Sequence, residues 1–346
     1  MVTPLLYCRV NQKLINPFLT RFHLPSGLVT APAPINLFLV CLLLACPLLH
    51  ASPYAYITNQ GSNDVSVIDI AKQQVITTIP VEKGPVGIAV SGKLARAYVS
   101  NVESQSISII DTRQQMVIRN IKLGGSPVGM ALGHDDKLLY VADWFDNRIL
   151  ELDALTGDIR RTFTVGKAPA GLIASTDGHW LFVVARDSND LAVIDLSNGS
   201  INRRIPVGEH PFGLSMGLDG TLYVVNVYSN TISLIDAPHE AVSATIPVGD
   251  HPYCAVASDK RQRIFVSNTR DDTVTVIDAK SRSILATVRV GSVPEGIAYH
   301  EGKIYVASWG DNLVSVIDAT SNKLLTNIPT GLQSRAFGQF IAPAPH

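Results

Sequence analysis

The chain has 346 residues, 46% hydrophobic and 16% charged, with a net charge of −1 at pH 7, which fits either two ordinary domains or one large repetitive one. With Arg9, Lys13 and Arg21 of residues 1–52 set aside, the 28 basic residues become 25 against 29 acidic, so the body stands at −4 and has no global field drawing it to nucleic acid or anionic lipid. Three of the four cysteines, Cys8, Cys41 and Cys46, lie in that same segment; Cys254 is left alone downstream, which excludes an internal disulfide framework and a cysteine-rich zinc site.

The first element is INLFLVCLLLACPLLHAS at 35–52. Its apolar part, about 35–49, has the length of a signal-peptide h-region and falls short of the ~20 residues that cross a bilayer. Pro47 breaks the run, and small Ala51 and Ser52 follow it. Residues 1–52 therefore read as an N-terminal extension and export signal cut near Ala51 or Ser52, with a periplasmic or extracellular, cell-surface destination. The long preface at 1–33 suggests a start codon placed too far upstream. LLAC at 43–46 loosely resembles a lipobox, but apolar PLLH after Cys46 makes a lipoprotein the weaker alternative; a retained single-span anchor is the third. No transmembrane bundle is expected.

From residue 53 onward the chain repeats itself. YITN (56), YVSN (98), YVAD (140), FVVA (182), YVVN (223), FVSN (265) and YVAS (305) succeed one another at intervals of 42, 42, 42, 41, 42 and 40 residues. About ten residues after each begins, a second apolar strand closes on Asp69, Asp111, Asp153, Asp195, Asp236, Asp278 or Asp318. VSVID-like alternation has period 2 and the runs are separated by turn-formers, so the elements are strands. Four strands fit each unit, one after the Pro-x-Gly, then the YVxN strand, the VSVID strand and an ATIPV-like strand. Seven such units predict an all-β, seven-bladed β-propeller with four antiparallel strands per blade over 53–343, followed by a short tail at 344–346.

The order of the ends fixes how the ring closes. The repeats begin at a second strand, YAYITN, and end on a first strand, AFGQFIA at 336–342. The last blade is therefore expected to pair this C-terminal inner strand with three N-terminal strands, 54–59, 64–69 and about 74–80, a tie that offsets the neighbour-only contacts of a ring.

The YVSN and YVVN strands, the VSVID strands and the IPVGxxPxG connections resemble the YVTN-repeat β-propeller family, which includes YncE-like periplasmic proteins and archaeal surface-layer proteins. The resemblance spans 54–342. It implies the fold strongly and activity weakly, since fold alone does not carry function; through YncE-like members it implies single-stranded nucleic acid as one ligand.

VGxxPxG recurs between blades, as VGKAPAG (165), VGEHPFG (207), VGDHPYC (248) and VGSVPEG (290). The glycine of VG is expected to take a positive φ, and the proline to fix φ on entry to the inner strand. Gly87, Gly129, Gly171, Gly213 and Gly296 close the motif where inner strands crowd the axis, and Cys254 holds that place in its own copy, which reads as a small buried thiol with no adjacent charge to activate it. His210 and His251 share one loop position with Gly84, Ser126, Ala168, Val293 and Gln333, so they should lie close together at the channel mouth. Two histidines fall short of a zinc set unless Glu209 and Asp250 join them; no metal, no cofactor and no catalytic residue is expected. The terminal aspartates recur in every blade and read as turn caps, accepting from backbone two residues on. Asn198-Gly199-Ser200 reads as a hairpin turn before a glycosylation sequon.

Function then rests on residues that break the repeat. Loops between second and third strands should share a face with the VGxxP loops, and bring Trp144, Tyr228, Trp309, Arg186 and Arg270 there, joined by His210, His251, Phe212, Tyr253, Glu295 and Arg335. Aromatics interleaved with arginine suggest a recognition surface, against the alternative that Trp144 and Trp309 fold over blade edges while arginines pair with Asp187 and Asp271. Three functions remain. The first is an exported, monomeric, non-catalytic binding or scaffold propeller for a protein, glycan or polymer. The second is single-stranded nucleic acid binding by aromatic stacking. The third is a lactonase-type hydrolase or lyase using His210, His251 and Glu295. No Walker loop, dinucleotide fingerprint or haem-attachment motif occurs.

Overall fold

The computed structural model describes residues 53–237, 241–258 and 263–342; the export-signal reading of 35–49, Cys46 and the tail at 344–346 lie outside them. The described chain forms seven sheets arranged as a ring, each of four antiparallel strands with a fifth, parallel strand added in blade 2, a seven-bladed β-propeller. Blades 2 to 7 span 85–122, 127–164, 169–206, 211–247, 252–289 and 294–329. Among the described residues the one helical piece is a single 3-10 turn, Arg186–Ser188, and no helix is long and apolar enough to cross a membrane.

Blade 1 closes as its sequence order requires. The N-terminal strands Tyr54–Asn59, Asp64–Asp69 and Gln74–Pro80 are completed by Ile341–Ala342, which pairs antiparallel with Tyr54 and Ala55. The same C-terminal stretch does one thing more. Phe337–Gln339 runs parallel to the inner strand of blade 2, with Phe337 opposite Gly87 and Gln339 opposite Ala89, so the closing segment is shared between two blades.

The repeated letters each have a local task. The asparagine ending YVxN is fully buried at 59, 226 and 268. Its amide donates across the following hairpin, from Asn226 to Thr231 and Ser233 and from Asn268 to Thr273 and Thr275, at 2.9–3.0 Å. The second-strand aromatic fills the space between sheets, and Tyr98 also bonds the next blade through its hydroxyl, which donates to Ala154 O at 2.7 Å. Arg263 makes the corresponding reach in blade 6, to Ala319 O at 2.7 Å.

The terminal aspartates cap turns. Asp111 Oδ1 accepts from the N–H groups of Arg113 and Gln114, Asp153 from Leu155 and Thr156, Asp278 from Lys280 and Ser281, and Asp318 from Thr320 and Ser321. Asn198 sits in an exposed turn of the same kind, its Oδ1 accepting from Ser200 N at 2.8 Å with Gly199 at φ +76°. These bonds favour the ionised form. For Asp153 and Asp278 the backbone N–H of Thr156 and Ser281 contributes most to holding the carboxyl below its ordinary value. For Asp69 and Asp111 burial pulls upward, and the hydrogen bonds together with Lys72 and Arg96 outweigh it.

A carboxyl whose folded pKa lies below its unfolded value of about 3.9 contributes stability that is complete above that value and lost as pH falls through the folded one. Melting temperature should therefore hold from pH 7 to about 5 and fall below about pH 4, and Asp278→Asn should flatten part of that acid limb. A thermal melt series on wild type and variant checks this; an acid limb identical in the two would contradict it.

Candidate functional site

Two geometrical devices bring the loop residues to the axis. In blades 2 to 7 the proline pairs with the last residue of the second strand, as Pro85 with Asn101, and pairing resumes one register off, as Ile88 with Val99. The two residues between leave the ladder, and such a bulge re-aims a side chain. The first of them turns to the axis and the glycine abuts the next blade: a Cβ on Gly129 would stand 2.0 Å from Ala170 O. Ser100 Oγ bridges the corresponding seam between blades 2 and 3, donating to Val128 O and accepting from Gly87 N.

The second device corrects an expectation. The glycine of VG does not take the positive φ; the residue before proline does, with Ala168 at 52°, His210 at 50°, His251 at 51° and Val293 at 51°. Gly208 is small instead because a Cβ there would meet Asn226 Cγ at 2.6 Å. The left-handed residue is held by a side chain 21 positions earlier: Asn189 Oδ1 accepts from His210 N, Asn230 Oδ1 from His251 N and Asp272 Oδ1 from Val293 N, at 2.8–3.0 Å. This is why both histidines project identically from neighbouring blades.

The sequence-nominated residues divide into two groups. One forms a plug across the axis. Phe212 is buried and packs against Tyr253 (4.4 Å between ring centroids) and Phe337 (4.8 Å). Beside them Arg335 grips Glu295 with two bonds, Nε to Oε2 at 2.6 Å and Nη2 to Oε1 at 2.8 Å, and reaches Gln60 Oε1 at 3.0 Å and the Tyr253 hydroxyl at 3.2 Å. Glu295 is buried, so it is no rim carboxylate; both of its oxygens are engaged.

The other group is a half-exposed strip on the loops of blades 3 to 6. Tyr228, 52% exposed, stacks on His210 (4.1 Å, 10°) and leans on His251 (5.5 Å). The Arg186 guanidinium lies 5.6 Å from the Trp144 ring and 5.8 Å from the Tyr228 ring, within cation–π range of both. Trp144 also touches Phe212 at 5.8 Å, joining strip to plug. His251 Nδ1 is 2.7 Å from Asp250 Oδ1.

The alternative of folded-back side chains holds in part. Arg186 pairs with Asp187 at 2.6 Å, whereas Asp271 accepts from Asp250 N rather than from Arg270. Exposed Arg270 is tied to the cluster by its backbone N–H, and half-buried Trp309 stands in the loop of blade 7, tied to Val293 O; neither adds a ring contact to the strip. Gln60 and Phe337 are the plug members missed in the sequence.

Electrostatics separates the groups further. Burial raises the Glu295 carboxyl above its ordinary value, with Arg335 offsetting part of that. Burial works against the Arg335 cation, but Tyr253 and Glu295 outweigh it and keep the guanidinium protonated. Burial pushes the Cys254 thiol up, which leaves it un-ionised and inert. On the strip the His251 hydrogen bond holds the Asp250 carboxyl below its ordinary value. Among the described residues, no cluster of three or more His, Cys, Asp or Glu side chains is placed to hold a metal ion.

Comparison with known proteins shows the fold and no more. No protein-family model and no curated protein matches the chain. Among solved structures it is similar to a functionally unknown protein from Desulfotomaculum acetoxidans DSM 771, at 15% identity and a TM-score of 0.72 over 84% of this chain and 98% of that one. It is also similar to Kuenenia stuttgartiensis hydrazine synthase, at 20% identity and 0.66 over 72% and 87%. Dihydro-heme d1 dehydrogenase NirN in complex with DHE matches at 14% and 0.66 over 86% and 76%.

Breaking a buried ion pair leaves one charge uncompensated, at a cost of about 3–5 kcal/mol, while replacing both partners by apolar groups is often neutral. Arg335→Met and Glu295→Leu should each lose about that much stability in urea unfolding, and the double variant should lose less than either; single losses under about 1 kcal/mol would contradict a buried pair. Relief of the left-handed backbone, about 1–2 kcal/mol, exceeds the ~0.4–1 kcal/mol that glycine gains in the unfolded chain. Val293→Gly should therefore raise the melting temperature, and a fall would contradict the strain at that position.

Proposed function

We propose that this chain is an exported, non-catalytic binding propeller of the YVTN-repeat, YncE-like kind, which recognises a partner through Trp144, Arg186, His210, Tyr228 and His251. The observation that carries this reading is the continuous strip itself: five residues from neighbouring blades, each breaking the repeat, stack edge to edge on one face. Aromatic and arginine side chains on a rigid scaffold are the usual energetic centre of a recognition surface.

Phe212, Tyr253, Glu295 and Arg335 support that strip from beneath. The hydrolase reading is weakened by the same geometry, because the Glu295 carboxylate that it needs as acid or base is already gripped by Arg335. The partner classes that fit are a protein, a glycan or another polymer. Single-stranded nucleic acid is the second reading. The Trp144, Arg186 and Tyr228 stack is of the type that receives bases, and the −4 body argues against it.

Labelled protein applied to glycan, peptide and oligonucleotide panels should retain one ligand class. Tyr228→Ala and Arg186→Ala should each weaken that binding at least tenfold with the melting temperature unchanged. For an oligonucleotide, affinity should also fall steeply with salt. Absence of any retained ligand, or variants that bind as wild type does, would contradict the proposal.

A further inference from the structure

Below the plug the seven inner strands enclose an axial cavity of about 490 Å³, within the range of small-molecule sites. Its walls are mainly aliphatic, including Met130, Leu172, Leu214, Met216, Val256 and Ile297. Among the described residues no Asp, Glu, Lys or Arg lines it. The end nearest the loops is stopped by the buried Phe337. Exposure rises toward the other end along the inner strands of blades 3 to 7, whereas Pro85–Ser91 of blade 2 stays buried: in Pro211–Met216 the first three residues are buried and the last three are partly exposed, and Pro294–His300 follows the same course. The cavity is thus a blind channel entered from the face opposite the loops.

Polar groups are present in the wall without Asp, Glu, Lys or Arg. Except in blade 2, where Phe337–Gln339 pairs with it, the inner strand of each blade is an edge strand of its sheet, and the free side of an edge strand presents unpaired backbone N–H and C=O groups. Two wall residues, Ser215 and His300, also carry buried polar atoms, Oγ and Nε2, without hydrogen-bond partners; the nearest acid to Nε2 is Glu301, at 3.9 Å. Water in an apolar channel of this size is readily displaced by an apolar body, and an ion would enter without a countercharge, which is costly.

We infer that the axial channel is a second binding site, distinct from the loop strip, for a neutral small molecule with an apolar body and a hydroxyl or carbonyl group. The walls take the apolar body, and the strand edges bond the polar group.

The test uses the full chain and the neutral fluorophore N-phenyl-1-naphthylamine. Wild type should bind it saturably at one per chain. Gln339→Trp, adding bulk at an exposed wall position outside the hydrophobic core clusters, should weaken binding at least tenfold at an unchanged melting temperature. Tyr228→Ala should leave it unaltered, which separates this site from the loop strip. 1-Octanol should displace the fluorophore at least tenfold more effectively than octanoate or octylammonium. Absence of saturable binding, undiminished binding in a folded channel-filling variant, or equal competition by either ion would each overturn the assignment.

Discussion

The ring depends on one non-covalent seam, where the last strand of the chain enters between the first blade and the second. Tyr56 N donates to Phe340 O, Arg335 N to Thr58 O and Ala336 N to Thr58 Oγ1, all at 2.8 Å. A Cβ on Gly338 would lie 2.3 Å from Ile88 O, so the same segment also abuts blade 2 directly. Apart from the axial plug, where Trp144 of blade 3 meets Phe212 of blade 5, blades pack against their neighbours, and an array of that kind is stable roughly as the sum of its units and interfaces. Closing the array adds the missing interface and removes the two exposed ends together.

The seam also shapes both candidate sites. Arg335 belongs to the closing segment, and from there it ties Gln60 of the first blade, Tyr253 of the sixth and Glu295 of the seventh into one knot. Phe337, two residues on, completes the aromatic plug. The channel beneath is blind because Phe337 of the closing segment stops its loop-side end, and the strip above is rigid because Trp144 rests on Phe212, which rests on Phe337. A single structural element separates an aromatic, charged outer face from an inner cavity that, among the described residues, no Asp, Glu, Lys or Arg lines.

Much of this was legible in the residues. Seven copies of YVxN and VSVID could be counted because every blade meets the same geometrical demand, and the positions 54–59 and 64–69 follow from alternation alone. The turn-capping aspartates and the offset termini were legible for the same reason. The Glu295–Arg335 pair was not: the partners lie 40 residues apart in two copies of one loop, where each reads as a rim charge. Phe337 stands where another copy has Ile297 and carries no mark of its plug role. The positive φ belongs to the residue before proline and not to the glycine of VG, because the side chains of Asn189, Asn230 and Asp272, 21 residues earlier, hold His210, His251 and Val293 there. Tyr228 was visible, but its position between two histidines required knowing how neighbouring blades face each other. The channel is built of ordinary strand residues, so no letter announces it.

The ring stands or falls with closure. The most direct measurement is equilibrium unfolding of the full chain beside a chain that stops after Ala336, followed by hydrogen exchange at residues 54–59. Closure by the C-terminal strand predicts that the shortened chain loses the single cooperative transition and that amides 54–59 lose their protection. A shortened chain that unfolds with the same midpoint and cooperativity, and keeps those amides protected, would contradict it.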